Sequence, residues 1–539
     1  MMELNGKGVS KGIAIGRVRY ISQVMDKVEK RIVADAEDEV RRFEGARALA
    51  ATQLGELAVT TAEKLGDKNA LLFEIHQMML EDVDYREAVG DKIRSENACA
   101  EWSVSETAVE FSRDFAQMTD EYMQARAADV LDVSRRVVEI LLGKQPRRNA
   151  FDEPSILAAW DFAPSETAQL ERETTLALLT SGGSANSHTA IFARTMGIPA
   201  VIGLGESLDE SWNGRQCILD GDTGRIILDP SEAEIEAVRE KQRRQEEYRK
   251  ELEAYRGRES KTRQGKEVKL FANIGNVQDA SLAMENDAEG VGLFRSEFLY
   301  LESKDYPDED KQFEAYKAVA QVMRDRLVII RTLDIGADKQ AAYFKLPSEE
   351  NPAMGLRALR ICLQRPEVFK TQLRAIYRAS AFGRVAVMLP MVASVWELRR
   401  AKELAAQARA ELDEQGVAYD RSLPIGIMVE TPAAAVISDQ LAKEADFFSI
   451  GTNDLTQYTL AVDRQNQGLD EFCDTHHEAV LRLIKTTVDN AHAAGIWCGI
   501  CGELGADETL TARFIEMGVD ELSVTPPAVL PLRKRVCEL

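Results

Sequence analysis

Gly182-Gly183-Ser184-Ala185-Asn186-Ser187-His188-Thr189-Ala190-Ile191-Phe192-Ala193-Arg194 follows an apolar run, Leu176-Ala177-Leu178-Leu179, that reads as a buried strand. The small residues Gly182 to Ala185 let the backbone turn sharply and approach a ligand closely. Asn186 or Ser187 then caps a helix that carries Ile191, Phe192 and Met196. His188 falls at or near its first turn. There the exposed N–H groups and the positive end of the helix dipole favour a neutral imidazole and stabilise an anion beside it. A neutral imidazole is a nucleophile, and a phosphorylated one is an anion at a helix N-terminus. The position suits a histidine that accepts a phosphoryl group. The plainer alternative is a histidine that caps a strand–turn–helix corner.

Working outward, Ser155-Ile156-Leu157-Ala158-Ala159 and Thr175 to Leu179 read as strands before this loop. Ile198 to Gly203 and a hairpin over Cys217–Pro230 follow it. Residues 1 to about 20 are short, alternating and rich in glycine, so one or two strands are expected. Between these and Ser155 lie roughly 120 helical residues with almost no proline. Val40, Phe43, Ala46, Ala50, Leu54 and Leu57 recur at three and four, as do Leu72, Ile75, Met79 and then Val130, Val133, Val137, Ile140, Leu141. Such helices read as antiparallel hairpins in a bundle. The early strands cannot form a sheet alone, so they are expected to pair with the later ones. The helices, residues 22–144, then form an insertion into an α/β domain of residues 1–21 and 145–230. Residues 231–260 are a charged helix that reads as a stiff linker.

The net charge is −23, which argues against nucleic acid and anionic membranes as partners. It permits a basic protein partner, or a cation holding an acidic substrate. The start of the chain has no apolar segment of signal-peptide length, and no run of about 18 apolar residues predicts a membrane span. Seven scattered cysteines point to a reduced, cytoplasmic protein.

From residue 261 to 539 strands alternate with helices. Eight strand candidates appear: Val268–Ala272, Gly290–Phe294, Leu327–Ile330, Val385–Leu389, Ile425–Val429, Asp446–Ile450, Ile496–Ile500 and Glu521–Val524. Eight strand–helix units in roughly 280 residues match a (β/α)₈ barrel. Barrels of this kind place chemistry at the C-terminal strand ends. There stand Arg295-Ser296-Glu297, Arg331-Thr332-Leu333-Asp334, Glu430-Thr431-Pro432, Gly451-Thr452-Asn453-Asp454 with Arg464 further on, and Cys501-Gly502-Glu503. Glu430 and Asp454 can converge on Mg²⁺, which takes few protein oxygens plus substrate phosphate. Arg295, Arg331 and Arg464 offer bidentate donors to carboxylate and phosphate. Cys501 is a candidate proton donor. The implied substrate is small and carries both carboxylate and phosphate. Cys498-Gly499-Ile500-Cys501 spells a redox spacing, but it lies in a strand rather than opening a helix, so Cys498 reads as packing.

These segments resemble Enzyme I of the bacterial phosphoenolpyruvate:sugar phosphotransferase system. The likeness is carried by residues 187–203 around His188, by 161–170 (Asp-Phe-Ala-Pro-Ser-Glu-Thr-Ala-Gln-Leu), 292–299, 331–339, 351–357 (Asn-Pro-Ala-Met-Gly-Leu-Arg), 428–432, 448–458, 463–464 and 501–503. The resemblance runs the length of the chain. It implies an α/β multidomain protein: a swivelling α/β phosphohistidine domain with an inserted α-helical bundle, a linker helix, and a C-terminal (β/α)₈ barrel. It implies a phosphotransferase in which His188 takes the phosphoryl group of phosphoenolpyruvate and passes it to a histidine-containing phosphocarrier protein, releasing pyruvate. By the same resemblance Glu430 and Asp454 bind Mg²⁺. Arg295, Arg331, Asn453, Asp454 and Arg464 contact phosphoenolpyruvate, and Cys501 is the proton donor. The inserted helices dock the carrier, with an acidic, partly apolar face around Phe73, His76, Met79, Asp82 and Asp84 as the expected contact. A homodimer through the barrel is implied as well. Many members have Gly-Gly-Arg-Thr-Ser-His where this chain has Gly183-Ser184-Ala185-Asn186-Ser187-His188, so backbone N–H groups with Asn186, or Arg194, must take the arginine's place. A pyruvate phosphate dikinase or phosphoenolpyruvate synthase shares the histidine and barrel segments but needs a nucleotide-binding domain, and here a helical bundle precedes His188. A phosphorelay regulator with a dead barrel is the remaining alternative; the full set of strand-end residues speaks against it.

Overall fold

The computed structural model describes the chain apart from residues 1, 22–27, 66, 119–120, 145–152, 169, 185–186 and 337–340. The chain divides into two compact units, Met1–Glu246 and Glu247–Leu539.

The first unit begins with β1 (Met2–Asn5), β2 (Lys7–Ser10) and β3 (Ile13–Tyr20). After the helical segment come β4 (Ser155–Ala159), β5 (Thr175–Thr180), β6 (Ala200–Ile202), β7 (Gln216–Asp220) and β8 (Arg225–Leu228). All eight join one sheet in the order β1-β8-β7-β3-β4-β5-β6-β2. The early strands therefore pair with the late ones. β3 lies parallel to β4 and antiparallel to β7, and β1 is antiparallel to β8 with Met2 opposite Leu228. The first twenty residues make three strands rather than one or two. Glycine is the reason: a Cβ on Gly8 would lie 2.2 Å from the Gly221 carbonyl oxygen, and one on Gly221 only 2.0 Å from that of Ser10. Only bare backbone lets β2 cross the β7–β8 turn.

Between β3 and β4 lie α1 (Ala36–Leu65), α2 (Asp67–Glu81), α3 (Val83–Glu96), α4 (Ala100–Ala116) and α5 (Glu121–Leu141). Phe43, Ala50 and Leu54 of α1 pack with Val89 and Ile93 of α3 and with Val130, Val133 and Val137 of α5. Two expectations for α2 are corrected. Its buried stripe is Phe73, His76 and Leu80, one position on from Leu72, Ile75 and Met79, which are half-buried. Phe73 and His76 therefore cannot belong to an exposed contact face. His76 is turned inward toward Asp129 of α5, 3.3 Å away, and its ring meets Phe73 edge-on. Among the described residues of α2 the apolar side chains that are exposed are Leu71 and Met78, and Asp82, Val83 and Asp84, which follow α2, are exposed as well.

A short helix α6 (Pro164–Thr167) and then α7 (His188–Met196) complete the α/β part, and α8 (Glu232–Glu253) carries the boundary between the units. α8 stops at Glu253, and a turn over residues 254–257 followed by irregular chain occupies the rest of the segment expected to be helical up to residue 260. No helix among the described residues is long and apolar enough to cross a membrane.

The second unit is a closed parallel barrel of β9 (Lys269–Ile274), β10 (Gly290–Arg295), β11 (Val328–Arg331), β12 (Val385–Leu389), β13 (Ile425–Val429), β14 (Phe447–Ile450), β15 (Trp497–Ile500) and β16 (Glu521–Val524). Each expected strand is present, because parallel strands covered on both faces read as apolar runs. Alternation sorts the side chains: Leu270, Ala272 and Ile274 face the outer helices, while Phe271 faces the lumen. The floor of the lumen is a stacked pair, Phe447 on Trp497, with ring centroids 4.7 Å apart. Above that floor lie Gly292, Gly499 and the buried Glu521, and above these the mouth.

Candidate active site

Arg295, Arg331, Glu430, Asn453, Asp454, Arg464 and Cys501 all line one cavity of about 730 Å³ at the C-terminal ends of the barrel strands. All but Arg464, which lies beyond helix Thr452–Leu460, stand at or directly after a strand end. Arg295 closes β10, is exposed, and has no ion pair or hydrogen bond among the described residues. Arg331 closes β11 and is buried. Its Nη2 lies 2.6 Å from Glu297 Oε1 and its Nη1 lies 3.0 Å from Asp334 Oδ2. Burial opposes its charge, but Glu297, Asp334 and Glu430 more than offset this and hold its pKa above that of a free guanidinium.

Glu430 follows β13 and is buried, accepting a 2.6 Å hydrogen bond from the Met391 N–H. Burial first, then repulsion from Asp454 and Asp334, push its carboxyl up to about 8, with Arg331 and Arg357 pulling the other way. Asp454 stands in the first turn of helix Thr452–Leu460. Two carboxylates crowded at one wall fit a cation, whose charge would relieve the repulsion. Among the described residues no third His, Cys, Asp or Glu converges on them. A hard ion such as Mg²⁺ takes few protein oxygens and keeps several places for water and substrate oxygen.

Arg464 Nη2 lies 3.7 Å from Asp454 Oδ1. Asn453 donates from Nδ2 to Glu503 Oε1 at 2.9 Å and accepts from the Glu503 N–H at 2.9 Å, which ties the loop after β14 to the one after β15. Cys501 is buried, and burial pushes its thiol up to about 12, with Glu521 and Glu430 adding to the rise while Ser449 and Arg331 ease it. A thiol of this kind stays protonated at neutral pH, as a proton donor must. Cys498 faces the outer helices while Cys501 faces the lumen, and both are free thiols.

The strand-end rule missed Arg357. It lies on the long segment between β11 and β12, yet its Nη2 is 3.0 Å from Asp334 Oδ1 and 3.5 Å from Asp454 Oδ2, and its Nη1 donates to Tyr458 Oη at 3.1 Å. It joins the acid that braces Arg331 to the acid at the cation wall. Its signal in the sequence was Asn351–Arg357, a quoted segment to which no role was given.

In the first unit His188 is the first residue of α7. Ser187 is the cap: its Oγ accepts from the Ala190 N–H at 3.3 Å. Asn186, the other expected cap, and Ala185 lie outside the described residues, as does the end of the 331–339 segment. Gly183 has φ +93°, the left-handed turn that the glycine pair was expected to supply. Thr189 anchors the first turn from below, donating from Oγ1 to Asp161 Oδ1 at 2.8 Å. Arg194 stands in the last turn, six residues and roughly 9 Å of helix rise from His188.

Three family profiles match the chain: "PEP-utilising enzyme, N-terminal" over residues 5–126, "PEP-utilising enzyme, mobile domain" over 151–224 and "PEP-utilising enzyme, PEP-binding domain" over 249–539. Among curated relatives, the phosphoenolpyruvate-protein phosphotransferase of Bacillus sp. (strain S) is 42% identical over 537 residues, 99% of this chain and 93% of that protein. Those of Bacillus subtilis (strain 168) and Staphylococcus carnosus (strain TM300) are 40% and 39% identical, over 100% of this chain and 95% and 94% of theirs. With the fold, the lined cavity and the His188 loop in place, these matches show that the chain belongs to the phosphoenolpyruvate-protein phosphotransferase family.

Proposed function

We propose that this chain moves the phosphoryl group of phosphoenolpyruvate to His188 and then to a histidine of a phosphocarrier protein. The observation that carries this reading is the convergence of four arginines, Arg295, Arg331, Arg357 and Arg464, with Glu430, Asp454 and the Cys501 thiol on one cavity. Arg295, unpaired and exposed, and Arg464 bind the phosphate and carboxylate of the substrate. Arg331, fixed by Glu297 and Asp334, meets the charge that develops on the bridging and enolate oxygens. Glu430 and Asp454 hold Mg²⁺, which when bound supplies Lewis-acid neutralisation of the phosphoryl and enolate oxygens. Asn453 orients the substrate from the loop it shares with Glu503. The neutral imidazole of His188 attacks phosphorus in line, and Cys501 protonates the methylene carbon of the enolate to give pyruvate. The N-terminus of α7 then stabilises the phosphohistidine as an anion.

The domain roles follow. Residues 1–21 with 145–230 carry the phosphohistidine, 22–144 dock the carrier, 231–260 link, and 261–539 bind phosphoenolpyruvate. Met78, with Leu71 two turns before it and the exposed Asp82 and Asp84 after it, suits a carrier with basic residues around its histidine. The test is incubation with phosphoenolpyruvate, with and without Mg²⁺ and carrier. Mg²⁺-dependent pyruvate is expected in an amount matching the enzyme without carrier, and matching the carrier when it is added. Excising residues 22–144 should keep the first readout and abolish the second; pyruvate that needs a nucleotide would point to a dikinase instead. The protein works in the cytoplasm as a homodimer through the barrel, which orders the mouth loops. Sedimentation velocity of residues 261–539 checks the dimer, and a monomer at tens of micromolar with both ligands rejects it.

A further inference from the structure

Gln372 is fully buried on the outer helix Pro366–Ala379, which carries none of the cavity residues named above. A buried amide is costly unless its donors and acceptor are used. Here both ends are used. Its Oε1 accepts from the Leu333 N–H at 2.9 Å. Its Nε2 donates to Ser296 Oγ at 2.9 Å and to Tyr316 Oη at 3.1 Å. Ser296 Oγ donates in turn to the Arg331 carbonyl oxygen at 2.6 Å. These partners fix which end of the amide is oxygen. An N–H can be met only by Oε1, and Ser296 Oγ, whose proton goes to Arg331, can accept only from the nitrogen. The far side is braced as well: Tyr316 Oη donates to Gln312 Oε1 at 3.3 Å, and Gln312 Nε2 donates to the Pro307 carbonyl oxygen at 2.9 Å.

The two residues that Gln372 holds stand next to the two acids that hold Arg331. Leu333 precedes Asp334, and Ser296 precedes Glu297. The acids come from different strand ends, Glu297 after β10 and Asp334 after β11. Arg331 Nη2 reaches the first at 2.6 Å and Nη1 reaches the second at 3.0 Å. A planar guanidinium gripped at two corners faces wherever its acids put it. One amide ties the backbone of the Asp334 loop to the side chain of the Glu297 loop. It thereby sets the spacing of the two acids, and with it the aim of Arg331.

We infer, on the reading of Arg331 as the group that meets the developing charge, that Gln372 is a positioning residue for phosphoryl transfer. It touches no substrate and acts on the rate through Arg331. A shift of about 1 Å in a reacting geometry costs as much as 10²-fold, so a slackened grip on Arg331 is felt in the rate.

A double-substitution cycle on the full chain tests this, read as pyruvate formed from phosphoenolpyruvate with Mg²⁺ and carrier. Gln372→Met keeps the length of the side chain and removes its hydrogen bonds. It should lower kcat by about tenfold or more, with the KM for phosphoenolpyruvate within about twofold of the parent. On an Arg331→Lys background the same substitution should cost less than about twofold, because the group through which Gln372 acts is already gone. Tyr316→Phe cuts the outer bond of the amide and leaves both loop bonds in place, so its kcat should stay within about twofold of the parent. A loss that recurs in full on Arg331→Lys overturns the inference, since the effect then does not pass through Arg331. So does a lower urea midpoint with parental kcat, or a Tyr316→Phe variant as slow as Gln372→Met; either marks a packing role. Should Gln372→Met fail to fold, the cycle is run with Ser296→Ala, which removes the bond to the Arg331 carbonyl oxygen. A loss that vanishes on Arg331→Lys then supports the inference, and a parental rate or an additive loss overturns it. A parent chain that forms no pyruvate rejects the proposed function, and this inference with it. A parent that turns over beside an unimpaired Gln372→Met rejects the inference alone.

Discussion

His188→Ala is expected to take up no phosphate from phosphoenolpyruvate and none from phosphorylated carrier. The substitution removes only the nucleophile. Alanine is the best helix former at the first position of α7, and the Ser187 cap with its bond from Ala190 is untouched. Titration calorimetry should give phosphoenolpyruvate affinity within about twofold of the parent, since the cavity that binds it is built wholly from residues of the second unit. Protein-bound phosphate that is labile in acid and stable in alkali, found on the Ala variant, would place the nucleophile elsewhere.

Arg331→Lys is the second large effect. Two nitrogens of one planar guanidinium reach two different acids, Glu297 at 2.6 Å and Asp334 at 3.0 Å. A lysine ammonium is a point charge that cannot span both and still face the substrate. The charge is kept, so the fold should hold, while kcat/KM falls by roughly 10²–10³, the cost of removing one transition-state donor. Arg331→Met is the contrast. It removes the cation 2.6 Å from the fully buried Glu297, and breaking a buried pair costs about 3–5 kcal/mol, visible as a lower urea midpoint. Arg464→Lys, at a side chain 37% exposed, should lose less in rate and nothing in stability. Equal losses for Lys and Met at position 331 would mean that the arginine is structural.

The barrel was legible because burial on both faces writes continuous apolar runs such as Val385–Leu389, and because strand ends have a fixed meaning in this architecture. Once the strands are placed, Arg331, Glu430 and Cys501 fall at the mouth with no further information. Arg357 was not legible in this way, since only the folded path of the segment after β11 brings it between Asp334 and Asp454. The phase of α2 was misread for a related reason. His76 counts as polar in a periodicity, and the group that accepts it inside the bundle, Asp129, is on another helix. Glu521 shows the same limit: a lone acid in an apolar strand carries no mark of what lies beside it.

The insertion of the helices between β3 and β4 has a consequence for biosynthesis. The bundle is one continuous piece of chain with local contacts, so it is free to fold while the ribosome is still at work. The sheet around it is not. Among the described residues β1 has only β8 as its neighbour, and Met2 pairs with Leu228. At roughly 5–20 residues per second the first strand waits about 11 to 45 seconds with its edge unpaired. Over that interval the nascent chain is a finished helical bundle carrying an unpaired first strand. It is the state of this protein most exposed to chaperones, proteases and wrong strand partners.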